Sequence, residues 1–350
     1  MTRSISIDSF LASASPTPLI DVRTPAEFEQ GHVPGARNIP LFTNEERVLV
    51  GTTYKQVGRE QAILQGFDLT GSKWSGFIRQ ALEIAPDKKV AVHCWRGGMR
   101  SGAMAWALGL YGFEVELIEG GYKRYRNWVL QQFARPWNLL VLGGMTGSGK
   151  TQILEALRSE EQVIDLEDLA QHQGSSFGTM NKLIQPTQEQ FENNFAGQLA
   201  DFLPTKRIWV EDESVTIGKR VIPHSFWQQM REAPLVCVQV PLEMRVQKLV
   251  AEYGVLDKDF LIECTTRIRK RLGPEQTRDA VQAIEDGRMA EFIRLLLVYY
   301  DKKYQKGLEQ RSREQLFFLD LPETKPEVGA NNVKAFADGT LPAAENIIKK

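Results

Sequence analysis

A cysteine in a glycine-rich loop is the side chain of this sequence best suited to act as a nucleophile. Cys94 follows the apolar run Lys89–His93 and begins the segment Cys-Trp-Arg-Gly-Gly-Met-Arg-Ser, after which a helical pattern starts. Loop amides and a helix N-terminus both stabilise an anion, so we expect a lowered thiol pKa and a reactive thiolate. Arg96 and Arg100 add positive charge. We therefore predict that Cys94, Arg96 and Arg100 are catalytic.

The other two cysteines are expected to be structural. Cys237 lies in the apolar run Leu-Val-Cys-Val, and Cys264 lies in a helical pattern. Three scattered cysteines provide neither a disulfide framework nor a zinc cluster. This cysteine usage favours a reducing, cytoplasmic location.

A phosphate-binding loop is the second chemical signal. The segment Gly-Met-Thr-Gly-Ser-Gly-Lys-Thr follows an apolar strand pattern and opens a helical one, which is the context that a Walker A loop requires. Its amides and lysine would hold phosphates, and its threonine is compatible with Mg²⁺. The predicted phosphate- or diphosphate-binding residues are Gly144, Thr146, Gly147, Ser148, Gly149, Lys150 and Thr151. The motif indicates phosphate binding and does not by itself indicate ATP hydrolysis.

Three acids compete to complete this phosphate site. Asp165 ends one predicted strand, and Glu211 and Asp212 follow another. A carboxylate at the end of a strand is where a metal-bound water would be held. Each acid is equally well interpreted as a helix cap or a solvated turn, and no metal site is certain.

Length and composition place these motifs in a two-domain globular protein. The chain has 350 residues, a net charge of −1 and 42% hydrophobic residues. The net charge excludes a binder of nucleic acid that is basic throughout. No run approaches the roughly 18 apolar residues of a membrane span, and the first residues lack the layout of a secretory signal. We expect no membrane association.

Short apolar runs alternate with helical patterns along most of the chain, which predicts an α/β fold. A proline-containing break near Arg135 separates an N-terminal α/β domain, residues 1–135, from an α/β domain of the P-loop NTPase type, residues 136–321. Residues 241–307 are expected to form a helical insertion in the second domain, and residues 322–350 a loosely ordered tail. The predicted strands are Pro18–Val22, Ala36–Ile39, Lys89–His93, Glu114–Ile118, Asn138–Leu142, Gln162–Asp165, Arg207–Val210, Leu235–Val240 and Leu316–Leu319.

Several motifs of the first domain resemble those of the rhodanese family of sulfurtransferases. They are the segments Asp21–Phe28, Gly31–Pro40, Cys94–Ser101 and Glu119–Tyr122. The resemblance implies that Cys94 carries a chalcogen atom in a persulfide-type intermediate. The loop is one residue longer than is usual in sulfurtransferases, and His-Cys-five residues-Arg-Ser matches the cysteine phosphatase motif. A longer loop makes a wider cradle, which suits a tetrahedral phosphate group.

Fusion of such a domain to a P-loop domain resembles the tRNA 2-selenouridine synthase family, with further matches at Asp165–Glu167 and Trp209–Ser214. The resemblance implies a selenotransferase that converts wobble 2-thiouridine, in the anticodon region of tRNA, to 2-selenouridine. Geranyl diphosphate would first geranylate the sulfur, and selenium from selenophosphate would then replace it through an S–Se intermediate on Cys94. No tightly bound cofactor is implied.

Two basic clusters are candidates for tRNA contact. One interleaves cations with Tyr122, Tyr125 and Trp128, as base stacking and phosphate contact require. The alternative is a solvated helix face whose aromatic rings turn into the core. The candidate cations are Lys123, Arg124 and Arg126 in the first domain, and Arg267, Arg269, Lys270 and Arg271 in the second.

Other functions stay open on the sequence alone. A cysteine phosphatase or a sulfurtransferase fused to a kinase-like P-loop domain would use the same two loops. An inactive rhodanese-like binding module is disfavoured because the cysteine is intact.

Overall fold

The computed structural model describes residues 2–13, 17–172, 184–322 and 325–341. The chain forms two compact units. The first contains Met1–Gln132 and Thr187–Gly197, and the second contains Phe133–Pro186 and Gln198–Lys350. Each unit has its own parallel sheet, and the predicted α/β class with a helical C-terminal region is confirmed.

The first unit has a five-stranded parallel sheet with the order β1-β5-β4-β2-β3. Its strands are β1 (Thr2–Ile5), β2 (Leu19–Asp21), β3 (Arg37–Asn38), β4 (Lys89–His93) and β5 (Glu114–Ile118). Its helices are α1 (Ile7–Leu11), α2 (Pro25–Gln30), α3 (Asn44–Gln56), α4 (Arg59–Thr70), α5 (Trp74–Ile84), α6 (Met99–Leu110), most of α7 (Gly121–Ala134) and most of α10 (Gln188–Ala200).

The sheet of the first unit places Cys94 at its carboxyl edge. β4 is central, and Val90, Ala91 and Val92 on it are fully buried. In parallel sheets, ligands bind beyond the carboxyl ends of the strands. Cys94 directly follows β4, between the sheet and the start of α6.

The segment Thr187–Gly197 was not predicted to belong to this unit. Its buried Asn193 donates hydrogen bonds through Nδ2 to the carbonyl of His32 (2.9 Å) and to the hydroxyl of Tyr122 (2.7 Å). Arg126 donates to Asn193 Oδ1 at 2.5 Å and is paired with Glu192. These bonds join residues that are far apart in the sequence, so no local pattern indicates them.

The second unit has a five-stranded parallel sheet with the order β12-β11-β6-β8-β7, and a small antiparallel pair. Its strands are β6 (Leu139–Gly144), β7 (Gln162–Ile164), β8 (Ile208–Glu211), β9 (Thr216–Ile217), β10 (Arg220–Val221), β11 (Leu235–Gln239) and β12 (Leu316–Asp320). Its helices are α8 (Lys150–Leu157), α9 (Leu166–Ala170), α11 (His224–Glu232), α12 (Leu242–Tyr253), α13 (Lys258–Arg267), α14 (Arg269–Leu272), α15 (Pro274–Glu285), α16 (Met289–Leu308) and α17 (Pro326–Thr340).

Helices α12 to α16 occupy the stretch for which a helical insertion was predicted. They share a hydrophobic core of their own, which includes Leu249, Cys264, Ile284 and Phe292. Because each helix buries an apolar stripe in this core, the helices stabilise one another without a further strand.

The prediction of a loosely ordered tail is wrong for α17. Ala330, Val333 and Ala337 are buried at helical spacing, and Gly329 lies so close to Ile153 of α8 that a β-carbon would be 2.9 Å from it. The prolines and glycines that indicated disorder are compatible with this helix, because Pro326 occupies its first turn. Residues 323–324 and 342–350 of the predicted tail lie outside the described residues.

Some elements of the first unit were not predicted. Strand β1 is a short edge strand whose first three residues are exposed, and α3 has no buried residue. Neither therefore shows the apolar periodicity from which elements are recognised. The helical pattern of Glu60–Ile84 predicts one helix, but this stretch forms two helices, α4 and α5.

Candidate functional site

The loop after β4 holds the Cys94 thiol among hydrogen-bond donors. Cys94 is only 4% exposed, and its Sγ accepts hydrogen bonds from the Gly98 backbone N–H (3.3 Å) and the Ser101 hydroxyl (3.2 Å). Both donors belong to the N-terminal end of α6 or the turn before it. An anion at Sγ is therefore stabilised by the groups that face it.

The pKa of Cys94 lies below the ordinary thiol value. Burial acts in the opposite direction, but hydrogen bonds from Ser101 and from the Arg96 backbone outweigh it, and the charge of Arg100 contributes. The predicted lowering of the thiol pKa thus has a geometric basis.

A close approach between two backbone segments sets the shape of the loop. Gly121 has φ +58°, and a β-carbon there would lie 2.2 Å from the Cys94 carbonyl oxygen. Its neighbour Tyr122 donates its backbone N–H to that same oxygen at 2.9 Å. Glycine is required at position 121, since any side chain would push the start of α7 away from the loop.

Arg100 is held by an acid that the sequence analysis did not single out. Its guanidinium donates to both carboxylate oxygens of Glu27, at 2.6 and 3.2 Å. Burial tends to raise the pKa of Glu27, but the bonds from Arg100 lower it overall. Glu27 also caps α2 with Thr24, and it lies in the segment Asp21–Phe28 that resembles the rhodanese motifs. Arg96, in contrast, is exposed.

A buried polar cluster of Asp21, Arg23 and His93 lies next to the Cys94 loop. Arg23 is paired with Asp21 (2.6 Å), donates to the Gly31 carbonyl (2.7 Å) and lies 3.6 Å from the centre of the Tyr122 ring. Burial is the main cause of the lowered pKa of the adjacent His93. A neutral His93 leaves Arg23 and Asp21 as a compensated buried pair.

We expect Ser101→Ala to raise the pKa of Cys94, because a hydroxyl donor to the thiolate is lost. In the wild type, the pH midpoint of iodoacetamide alkylation of Cys94 should lie below the ordinary thiol value of 9.0. The variant should move that midpoint upward by about half to one pH unit. Ser75→Ala, at an exposed position of α5, is the control. An unchanged midpoint in Ser101→Ala would contradict the assignment of Ser101.

The phosphate-binding loop of the second unit connects β6 to α8, as its motif predicts. Gly147 has φ +81°, and a β-carbon there would be 2.9 Å from Leu249 Cδ1. Lys150 Nζ donates to the Gly144 carbonyl at 3.1 Å. The Ser148 hydroxyl is buried and makes no hydrogen bond within the part of the chain that is described. It is thus an available donor for a phosphate oxygen.

Of the three candidate acids, Glu211 contacts this loop. Its carboxylate lies 3.5 Å from Lys150 Nζ and accepts a hydrogen bond from the Thr151 hydroxyl at 3.4 Å. Asp212 instead forms an ion pair with Arg311 at 2.8 Å. Asp165 accepts the Asp168 N–H at 2.8 Å as the N-cap of α9, so the helix-cap alternative applies to it.

The charged groups of this second site shift one another's pKa values. Burial raises the pKa of Glu211, with Lys150 acting against it. Burial lowers the pKa of Lys150, but nearby carboxylates, Glu211 foremost, raise it overall. Thr151 and Glu211 are the residues that would hold Mg²⁺. Among the described residues, no group of three or more His, Cys, Asp or Glu side chains is suited to a metal.

Helix α12 adds two cations that the sequence analysis missed. Arg245 donates to the Thr146 carbonyl at 3.2 Å and is paired with Asp301 at 2.8 Å. The Nζ of Lys248 lies 2.7 Å from where a Gly149 β-carbon would stand, and burial lowers the pKa of this lysine. In the sequence, only the three-residue spacing of Arg245 and Lys248 indicates that the two side chains share one face of α12.

The first basic cluster differs from the prediction in its aromatic component. Tyr122 and Tyr125 are buried, so the alternative with rings in the core applies to them. Lys123 and Arg124 are exposed, whereas Arg126 is partly buried and paired with Glu192.

In the second cluster all four cations are exposed, and Arg267 pairs with Glu263. Within the described residues, Arg269, Lys270 and Arg271 form no ion pair.

The remaining cysteines fit their structural interpretation. Cys237 and Cys264 are buried, and burial raises the pKa of both thiols. A raised pKa reduces the thiolate fraction and thus the reactivity.

Family comparisons match both units. The family model described as the tRNA 2-selenouridine synthase AAA domain matches residues 137–325, and the rhodanese-like domain model matches residues 8–127. Over the described ranges, no helix is long and apolar enough to cross a membrane.

Curated relatives with this name are similar over much of the chain. A tRNA 2-selenouridine synthase from Nitrosomonas eutropha is 41% identical and aligns with 68% of this chain and 63% of its own length. Those from Shewanella piezotolerans and Salmonella newport are each 36% identical, align with 86% of this chain, and are covered over 91% and 92% of their own lengths.

Proposed function

Because the chain belongs to the tRNA 2-selenouridine synthase family, we propose that it is a selenotransferase that converts wobble 2-thiouridine of tRNA to 2-selenouridine. The observation that carries this proposal is the presence of two different anion sites in one chain. One surrounds a nucleophilic thiol, and the other is a phosphate-binding loop in which the partly buried Lys150 faces the buried Glu211.

The first proposed step is geranylation of the 2-thiouridine sulfur at the phosphate-binding loop. Geranyl diphosphate carries a diphosphate, and departure of that group develops negative charge. Lys150, the Ser148 hydroxyl and the loop amides would stabilise this charge. Mg²⁺ held by Thr151 and Glu211 would supply further positive charge.

The second proposed step is transfer of selenium from selenophosphate at the Cys94 loop. Selenophosphate is a tetrahedral anion, and the donors around Cys94 suit it. Geranylation prepares the base, because it converts the sulfur into a thiol that can leave C2. The base would accept selenium as that geranyl thiol departs.

The phosphorus product shows whether the predicted S–Se intermediate forms, because the Cys94 thiolate could attack either selenium or phosphorus. If the Cys94 thiolate attacks selenium, the electron pair of the Se–P bond leaves with phosphorus as phosphite, and release of selenium from Cys94 requires a reducing thiol. If the thiolate instead attacks phosphorus, hydrogen selenide leaves, and hydrolysis of the phosphocysteine gives phosphate. Phosphorus NMR of the released anion therefore distinguishes the two attacks.

The exposed cations Lys123, Arg124, Arg269, Lys270 and Arg271 are proposed tRNA contacts, with Arg126 and Arg267 at their edges. Phosphate contacts of this kind position a substrate and make its binding dependent on salt.

The proposed function is tested by mass analysis of nucleosides from tRNA incubated with the protein, geranyl diphosphate and selenophosphate. We expect S-geranyl-2-thiouridine when selenophosphate is omitted and 2-selenouridine when both substrates are present. Absence of both products would reject the proposal. Hydrolysis of a generic aryl phosphate, with no modified nucleoside, would favour the cysteine phosphatase alternative, which the Ser101–Cys94 hydrogen bond also allows.

A further inference from the structure

An apolar cavity of about 800 Å³ opens beside Cys94 in the first unit. Residues of α3, α4, α5 and α6 line it together with the Cys94 loop. Its apolar wall consists of Leu41, Phe42, Val50, Ile63, Phe67 and Trp74. The volume lies within the range of small-molecule sites.

The cavity has a buried floor and an exposed aromatic opening. Leu41 and Phe42 belong to the core cluster that also contains Cys94. Tyr54, Phe67 and Met99, which also line the cavity, are each at least half exposed. Apolar surface that stays exposed around a concave site is typical of a binding site for an apolar ligand.

The charged residues of the lining lie on the Cys94 loop, on α6 and on α3. Arg96 and Arg100 stand on the loop side, with Arg47 and Lys55 on α3, whereas the wall formed by α4 and α5 is apolar. A matching ligand has an apolar chain along α4 and α5 and a polar end at the Cys94 loop.

We propose that this cavity binds the terpenyl chain on the sulfur of the geranylated wobble base, with the sulfur end of the chain at Cys94. This inference rests on the proposed function and adds to it the location of the chain during selenium transfer. A chain buried there holds C2 of the base beside Cys94. The protein would therefore recognise its substrate by the same apolar group that makes the sulfur a leaving group.

Gly102 of α6 offers a direct test. It lines the cavity, and a β-carbon added there meets no atom within 4 Å, so Gly102→Leu fills the cavity without a clash at the point of attachment. Gly76 of α5 is the matched control, because it also has open space but is not among the lining residues. Phe67→Ser provides a second variant. The wild-type ring of Phe67 is more than half exposed, so its loss should have little effect on folding.

The measurement is equilibrium binding of anticodon stem-loop RNAs that carry S-geranyl- or S-methyl-2-thiouridine. We expect the wild type and Gly76→Leu to prefer the geranyl RNA by at least about tenfold, and Gly102→Leu and Phe67→Ser to lose most of that preference. Binding of the methyl RNA should not change. In the full reaction, Gly102→Leu should accumulate geranylated tRNA with an unchanged KM for geranyl diphosphate.

Two results would overturn the inference. A retained geranyl preference in both variants would place the chain elsewhere, and a raised KM for geranyl diphosphate in Gly102→Leu would make the cavity the donor site. Failure of the proposed function is a separate outcome, since it appears as a wild type that forms no 2-selenouridine from geranylated RNA.

Discussion

Replacing Cys94 with serine is expected to abolish selenium incorporation into tRNA while leaving geranylation largely intact. In the proposed scheme the thiol is the nucleophile of the second step only, and a hydroxyl with an ordinary pKa is not ionised in the loop. We expect a loss of more than about a thousandfold in the rate of 2-selenouridine formation from geranylated tRNA. Initial rates of the two half-reactions, measured separately by nucleoside mass analysis, provide the test.

The other cysteines are the controls for this experiment. Cys237→Ser and Cys264→Ser should retain both activities, because their thiols have raised pKa values and lie outside the loop. If Cys94→Ser also failed to form geranylated 2-thiouridine, the assignment of the two steps to two sites would be wrong.

Replacing Lys150 with alanine is expected to impair geranylation far more than selenation of tRNA that is already geranylated. Geranyl diphosphate is the only substrate of the scheme with a diphosphate, and Lys150 is the partly buried cation of the phosphate-binding loop. Removing one positioned cation from a departing phosphate group should cost about 3 kcal/mol, or about a hundredfold in rate. Paired initial rates with purified variants measure the effect.

Lys303→Ala, at an exposed position of α16, is the matched control, and thermal unfolding of each variant checks the fold. Thr151→Ala should reduce the rate less, and only in the presence of Mg²⁺. An equal loss in both half-reactions would assign Lys150 to tRNA binding instead. A wild-type rate that requires ATP would make a nucleotide the ligand of this loop.

The two loops could be predicted from the sequence because each is encoded locally. In both, an apolar strand, a glycine-rich turn and a helix follow one another without interruption. The side chains that complete the sites are not encoded in this way. Glu27 is 73 residues from Arg100, and Lys248 is 96 residues from Gln152, to which it donates a hydrogen bond. Only the folded chain brings such pairs together.

The cavity was missed for a different physical reason. Sequence periodicity detects helices that bury an apolar stripe in the core, and α3 buries none of its residues completely. Its apolar side chains face the open cavity or solvent, so they resemble a surface pattern. For the acids, the sequence indicated a strand end, where Glu211 is the last residue of β8 and Asp212 follows it, but only tertiary contacts assign one to Lys150 and the other to Arg311.

The inclusion of Thr187–Gly197 in the first unit has a consequence for synthesis on the ribosome. Residues 133–186 emerge before this segment does, although they belong to the second unit. Until it emerges, Tyr122 and Arg126 lack their partner Asn193. The nascent first unit therefore stays incomplete, with this surface exposed, while residues 133–186 of the second unit are translated. For the same reason, a gene fragment that stops near codon 135 encodes an incomplete first unit.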